Sequence, residues 1–194
     1  MSVIRRSGKT PDKAFRLIVL CGVPVIFVAG ALLHFALEWS GYWRPLAIFA
    51  AVNESVWEHL KIAVWPAFFW GLVEWSALRR NLSHFWAAKT AGLLVMPLVI
   101  TGLFYSYTSL TGANYLAVDI GTFFLAIAAG QVVTWRLIRA PAPGRVLRLL
   151  AGIILGLLLA AFCSLTYLPP HHPLFLDSNT GEYGLAASEG LLSH

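Results

Sequence analysis

Five apolar runs, each long enough to cross a bilayer as a helix, dominate this sequence. They cover residues 15–38, 56–78, 86–107, 115–137 and 146–168. Charged residues, aromatic residues or Gly, Pro and Asn turns bound each run. Because a spanning helix needs roughly 20 apolar residues, the pattern predicts an all-α, polytopic bundle of five transmembrane helices over residues 1–168. Residues 169–194 are predicted to form an extracytoplasmic tail that folds over one end of the bundle.

The charge of the chain supports a membrane protein and argues against nucleic-acid binding. Hydrophobic residues make up 58% of the sequence and charged residues only 12%, whereas soluble domains are about 25% charged. The net charge of +5 comes from short basic clusters between the apolar runs, a pattern typical of membrane orientation and not of a nucleic-acid surface. We therefore expect the lipid bilayer, and no nucleic acid, as a partner.

The distribution of Lys and Arg predicts how the bundle is oriented. Twelve of the fourteen basic side chains fall on one side, which by the positive-inside rule faces the cytosol. Residues 1–14, 79–88 and 138–146 are therefore predicted to be cytosolic, and residues 168–194 to lie outside. The apolar run from Leu17 to Leu37 is too long for a cleaved signal peptide, so we expect it to remain as the first helix. The twelve are Arg5, Arg6, Lys9, Lys13, Arg16, Arg79, Arg80, Lys89, Arg136, Arg139, Arg145 and Arg148, and the two exceptions are Arg44 and Lys61.

The segment between the first two runs, residues 39–55, is too short to span. Its apolar part, from Leu46 to Val52, has only seven residues. The sequence predicts an interfacial or a re-entrant piece on the outer side and leaves both alternatives open.

The fifth run carries small residues at every fourth position. Gly152, Gly156, Ala160 and Ser164 form a stripe along which another helix can approach closely. We expect that helix to belong to the same chain, and a homodimer or another membrane partner is the alternative.

Ionisable side chains inside the predicted helices point to a site at the outer end of the bundle, because such groups are costly in hydrocarbon and face a cavity or a partner. His34 and Glu38 are four residues apart and share one helix face. This geometry suits two ligands of one ion. An interfacial pair with no role in binding is the alternative.

The second group lies in the segment Asn53–Lys61. Asn53 is a natural helix N-cap, and Glu54 would occupy the first turn, where the helix dipole stabilises an anion, so we expect Glu54 to be mainly structural. Glu58 and His59 lie deeper, and capping does not explain them. Glu58 can pair with Lys61, and His59 is predicted to be the residue least replaceable for activity.

Three more residues complete the candidate site. Asp119 is a carboxylate in the fourth run and needs Lys61, a histidine or a metal as its partner. In the tail, His171 or Asp177 is predicted to lie over the cavity as a lid. We expect His34, Glu38, Glu58, His59 and Asp119 to converge in one cavity.

These residue types favour a metal-dependent membrane hydrolase that acts on a lipid or a lipid-linked substrate. His34, His59 and His171 are the expected ligands of Zn²⁺ or another divalent transition metal. Glu58 or Asp119 would be a fourth ligand or the base for a metal-bound water. Two alternatives remain: a small transporter or ion carrier, and a non-catalytic membrane subunit. The other residues expected to line the site are Glu38, Asn53, Glu54, Lys61 and Asp177.

Two stretches of the chain resemble a known but uncharacterised family. They are Asn-Glu-Ser-Val-Trp-Glu-His, which begins at Asn53, and Tyr-x-Pro-Pro…Leu-Phe-x-Asp…Gly-x-Tyr-Gly, which begins at Tyr167. Both are similar to segments of a family of small bacterial multi-pass membrane proteins of unknown function. The resemblance implies a bacterial cytoplasmic membrane and no particular mechanism.

Overall fold

The fold is entirely helical over the part of the chain described by the computed structural model, residues 13–77 and 84–185, with side chains from residue 16. Two short 3-10 turns, Arg44–Ile48 and Pro173–Phe175, accompany five long helices. No β-strand occurs among the described residues, where the sole β feature is an isolated bridge between Leu176 and Tyr183. The all-α prediction is confirmed. The helices are α1 (Lys13–Trp39), α2 (Val56–Ala77), α3 (Phe85–Thr111), α4 (Leu116–Arg139) and α5 (Arg145–Ser164).

Four of these helices are long and apolar enough to cross a membrane. Among the described residues they are α1, α3, α4 and α5, with mean hydropathies between 1.7 and 2.5. The chain is therefore a multi-pass membrane protein. The remaining long helix, α2, carries three ionisable residues, Glu58, Lys61 and Glu74, each at most 1% exposed. Its 22 residues correspond to about 33 Å, so α2 is long enough to span, and its place as a fifth span stays a prediction.

Helix α2 has more buried residues than any other helix in the described part of the chain. It packs against α1, α3 and α4, and its buried apolar residues join a core that includes Ile26, Leu93 and Ile127. A helix that carries ionisable groups is stable in an apolar surrounding only if those groups face protein. The neighbouring helices supply that surface and present their own apolar faces outward.

Helices α3 and α4 approach most closely at a pair of glycines. A Cβ added to Gly92 would lie 2.5 Å from the carbonyl oxygen of Gly130, and one added to Gly130 would lie 2.7 Å from the carbonyl oxygen of Gly92. Both contacts are with backbone, which cannot move aside. Small residues at helix crossings in membranes permit this approach, and Gly92 and Gly130 provide it here.

The small-residue stripe of α5 does not pack inside the bundle. All four of its residues are exposed, and a Cβ added to Gly152 or Gly156 would meet no atom of the described residues within 4 Å. The expectation that the stripe packs against a helix of the same chain is therefore wrong. The homodimer or membrane partner stays a prediction.

Residues 39–55 fold onto the end of the bundle where α1 ends and α2 begins, here called the site end. Gly41, with φ of +68°, follows the last turn of α1 in a conformation that suits glycine. Ala47, Ala50 and Val52 are then buried in a small cluster with Leu37. The segment is a packed cap over the site end.

A buried polar network lies towards the end of the bundle opposite the site end. The Lys89 ammonium donates hydrogen bonds to Glu74 Oε2 at 2.8 Å and to Gln131 Oε1 at 2.9 Å. Gln131 Nε2 donates to Glu74 Oε1 at 2.6 Å and to the Val19 carbonyl at 3.1 Å. This closed network joins α1, α2, α3 and α4. Lys89 was counted among the cytosolic charges, but it is fully buried and adds nothing to the surface charge of that side. Arg79, Arg80 and residues 1–12 lie outside the described residues.

Candidate metal centre

Three side chains with metal-ligating atoms meet at the site end. His34 comes from α1, Glu54 from the loop before α2, and His59 from the first turns of α2. The Nε2 atoms of the two histidines are 3.3 Å apart, and each lies 3.6 Å from a different oxygen of the Glu54 carboxylate. All three ligand atoms lie within 4.8 Å of one another. We call this group the triad.

The distances of the triad fit a tetrahedral metal site. Two imidazole nitrogens bonded to zinc at about 2.0–2.1 Å, with a tetrahedral angle between them, are about 3.3–3.4 Å apart. The observed separation of 3.3 Å between the histidine nitrogens matches this value. Bonds of about 2.0–2.2 Å place one carboxylate oxygen about 3.3–3.5 Å from both nitrogens. Each nitrogen lies 3.6 Å from a different Glu54 oxygen, so the carboxylate must turn to bring one oxygen near both.

A backbone carbonyl fixes the proton of the His59 ring. His59 Nδ1 lies 2.8 Å from the carbonyl oxygen of Ser55, which can only accept, so Nδ1 carries the proton and Nε2 presents its lone pair. This is the usual support of a metal-ligating histidine. His34 lacks it: its Nδ1 is buried and finds no hydrogen-bond partner among the described residues.

The chain turns at Asn53 before α2 begins. The Asn53 side chain accepts a hydrogen bond from the Ser55 N–H at 2.9 Å and donates one to the Gly184 carbonyl at 3.0 Å. Helix α2 starts only at Val56, and the Ser55 hydroxyl accepts from the Glu58 N–H at 3.4 Å. The prediction that Asn53 caps the helix is therefore wrong. Glu54 precedes the helix, and this position lets its carboxylate face the histidines.

The environment of Glu54 keeps its carboxyl group ionised. Its side chain is 41% exposed, and a hydrogen-bonding interaction with the His34 imidazole lowers the pKa of Glu54 below its ordinary value. Burial opposes this shift, and the charges of both histidines add to it. The carboxylate form is the one that binds metals.

Glu58 lies in a closed network beside the triad. Its carboxylate forms an ion pair with Lys61 and accepts hydrogen bonds from the Val52 N–H and the Thr166 hydroxyl, both at 3.1 Å. The Lys61 ammonium also donates to the Ala47 carbonyl at 2.7 Å and to Thr166 at 2.9 Å. Because every partner is supplied by the protein, the structure places Glu58 and Lys61 in a buried link between α2, α5 and the cap. Lys61 pairs with Glu58 and not with Asp119.

The triad opens into a cavity of about 500 Å³. Asp119 lines this cavity and accepts a hydrogen bond from the Tyr107 hydroxyl. Of the five residues expected to converge, His34, His59 and Asp119 line the cavity. Glu38 is exposed and Glu58 is buried in its own network, so neither lines it. The complete lining is His34, Glu54, Val56, His59, Ile100, Phe104, Tyr105, Asn114, Leu116, Asp119, Thr122, Phe123, Pro173, Leu176, Ser178 and Asn179.

The described part of the tail, residues 169–185, borders the cavity, but not with the residues expected. His171 is exposed and packs on Tyr183, with ring centroids 4.7 Å apart, and it does not line the cavity. Asp177 is buried, and its carboxylate accepts from the backbone N–H groups of Asn179 at 2.7 Å and Thr180 at 3.4 Å. It therefore holds a turn of the tail, and the tail residues that line the cavity are Pro173, Leu176, Ser178 and Asn179.

Comparison with protein families assigns the chain to one family. A model described as a family of unknown function (DUF6512) matches residues 8–185. The chain belongs to this family. The predicted resemblance to an uncharacterised family is confirmed, and the DUF6512 match spans both the triad and the tail. Comparisons with curated proteins and with solved structures found no match.

Two features of this DUF6512 chain escaped the sequence analysis. The ligand position of Glu54 was missed because the helix start was placed two residues too early. The network of Glu74, Lys89 and Gln131 was missed because Lys89 was assigned to the cytosolic side. The sequence signal for this network was one polar side chain inside each of three apolar runs: Glu74, Lys89 and Gln131.

Proposed function

We propose that the triad of His34, Glu54 and His59 binds Zn²⁺ or another divalent transition metal and that the protein hydrolyses an ester or amide bond of a lipid or lipid-linked substrate. The observation that carries this proposal is the 3.3 Å separation of the two Nε2 atoms, with a carboxylate at 3.6 Å from each, at the wall of a cavity.

The donor set supports zinc. Imidazole and carboxylate ligands suit this ion, and two histidines with one glutamate leave the fourth tetrahedral position for water or substrate, as in zinc hydrolases. A zinc ion in such a site lowers the pKa of a bound water and polarises a carbonyl group.

The protein supplies orientation and a second carboxylate. The Ser55 carbonyl aims the His59 ring, and ionised Glu54 contributes negative charge that balances the metal. Asp119, held by Tyr107, is the other carboxylate of the cavity and can accept a proton or a hydrogen bond. The apolar walls, which include Ile100, Phe104 and Phe123, suit an acyl chain.

Metal analysis of the purified protein tests the proposal. We expect one zinc per chain in the wild type, and loss of that zinc in His34→Ala and His59→Ala proteins that still insert in the membrane. Glu38→Gln is the matched control, since Glu38 is an exposed carboxylate on α1 outside the triad, and its metal content should equal that of the wild type. Full metal content in His59→Ala would remove the metal site and favour a structural membrane subunit.

Hydrolysis is tested separately. Zinc-loaded and chelator-treated protein in nanodiscs is incubated with long-chain esters and amides, and the released fatty acid is measured by mass spectrometry. We expect release only with zinc-loaded protein. If zinc binds but no bond is cleaved, zinc uptake into sealed vesicles tests the alternative of an ion carrier.

A further inference from the structure

The charge of the cavity selects the head group of its ligand. Among the described residues that line it, none is Lys or Arg, while Glu54 and Asp119 are carboxylates. Lys61, which follows the cavity-lining His59 by two residues, is fully buried and paired with Glu58. An anionic head group would therefore meet two carboxylates and no Lys or Arg, and the two imidazoles that line the cavity already face the Glu54 carboxylate.

The distribution of polar and apolar groups defines the rest of the ligand. Ile100, Leu116 and Phe123 offer apolar surface, whereas Asn114, Ser178 and Asn179 offer polar side chains. Such a cavity, open at the end of a transmembrane bundle, fits an amphiphile with an alkyl chain and a compact polar head.

Asp119 is the residue that can anchor this head group. One of its oxygens accepts from the Tyr107 hydroxyl, whose own oxygen accepts from the Tyr115 N–H at 3.2 Å. The carboxylate is only half-buried and forms no ion pair with any of the described residues, so it retains acceptor capacity towards the cavity. An ammonium group satisfies this capacity with charge-assisted hydrogen bonds.

We propose that the cavity takes a long-chain amphiphile with an amino head group, which Asp119 binds, and that it discriminates against phosphate head groups. This inference rests on the proposed function for the reaction, but the selectivity belongs to the protein side chains and is present without metal.

Binding to the chelator-treated full chain in nanodiscs tests the proposal. The probes are tritiated dodecylamine, dodecanol and monododecyl phosphate, which share one chain length, and uptake by empty nanodiscs is subtracted. We expect dodecylamine to bind at least about ten-fold more tightly than monododecyl phosphate, with dodecanol between them. Equal or tighter binding of monododecyl phosphate would overturn the proposal.

Variants locate the selectivity. Asp119→Asn should weaken dodecylamine binding about ten-fold and leave dodecanol binding unchanged, because only the amine loses a charged partner. Glu38→Gln, which removes a carboxylate outside the cavity, should bind all three probes like the wild type. An equal loss for all three probes in Asp119→Asn would contradict the role of Asp119. If Asp119→Asn does not fold, the wild-type comparison decides the head-group selectivity, and Tyr107→Phe, which keeps the carboxylate, should retain the preference for the amine.

Because these measurements use metal-free protein, they separate the two proposals. A protein that prefers the amine but never binds zinc would retain the head-group selectivity and lose the proposed hydrolysis. A protein that binds zinc but shows no preference among the probes would retain the proposed metal site and lose the head-group selectivity.

Discussion

The His59 ring depends on one carbonyl group for its orientation. Its Nδ1 lies 2.8 Å from the Ser55 carbonyl oxygen, and Ser55 also caps α2 through the Glu58 N–H. The same residue therefore sets both the start of the helix and the direction of the ligand. Glu54, immediately before Ser55, is left outside the helix and joins the triad.

The pH dependence of metal binding follows from the ionisation of these ligands. The lowered pKa of Glu54 means that its carboxylate persists below the pH at which an ordinary glutamate takes up a proton. The stabilisation from its interaction with His34 is present above the ordinary pKa and is lost only as the pH falls through the lowered one. Metal binding also requires neutral imidazoles, because a protonated ring nitrogen has no lone pair for the metal, so acidification releases the metal.

Competition with a metal-sensitive chelator dye between pH 5 and 8 measures this release. We expect Glu54→Gln to weaken zinc binding by at least about ten-fold across this range. An unchanged zinc affinity in Glu54→Gln would contradict the place of Glu54 in the triad.

Depth along a helix was a poor guide to the roles of individual residues. Counting from Asn53 correctly placed His59 at the cavity, because a histidine this deep in a membrane helix avoids lipid. The same counting exchanged the roles of the two glutamates, because it made Glu54 structural and Glu58 a site residue. In the structure, Glu54 lies at the triad and Glu58 lies in the ion pair with Lys61. The exchange follows from one turn at Asn53, and its partner Gly184 is 131 residues away. Local sequence carries no information on such a contact.

At the scale of the helices, the close crossing of α3 and α4 explains where small residues matter. Gly92 and Gly130 approach through their backbones, whereas a Cβ added to Gly152 or Gly156 of the more regular α5 stripe meets no atom of the described residues within 4 Å. Spacing alone favoured the regular stripe. The crossing pairs single glycines from two different helices, so only the packed bundle identifies it.

A matched pair of alanine substitutions tests this difference. Gly92→Ala places a Cβ 2.5 Å from the Gly130 carbonyl, and we expect it to destabilise the protein by about 1–3 kcal/mol, the usual cost of overpacking. Gly152→Ala has open space around its Cβ, and it should be neutral or stabilising by up to about 1 kcal/mol through helix propensity. Unfolding in mixed micelles of increasing SDS content measures both. Equal stabilities of the two variants would contradict the close crossing.

At the scale of the whole molecule, the helix pattern was predictable because each apolar run is a continuous property of the sequence. All five runs became helices, and the site lies where α1, α3 and α5 end and α2 and α4 begin. The orientation of this end relative to the cell rests on the positive-inside rule. It stays a prediction, as does the bacterial cytoplasmic membrane.

Cysteine labelling tests that orientation. In a protein from which Cys21 and Cys163 have been removed, Ser178→Cys lies on an exposed turn of the tail. It should react with a membrane-impermeant maleimide added to intact cells. Ala142→Cys, in the loop between α4 and α5, is the opposing control and should react only after the cells are opened. The reverse pattern would invert the topology and place the site on the cytosolic side.

The two ion pairs of α2 have a consequence for how the chain is made. Glu58 and Lys61 lie on the same helix, whereas Lys89, the lysine that pairs with Glu74, lies on α3. Before α3 is synthesised, Glu74 lacks the lysine that pairs with it in the folded bundle, and an unpaired carboxylate in an apolar surrounding is costly. We therefore expect α2 to settle stably in the membrane only together with α3, whose Lys89 completes the ion pair.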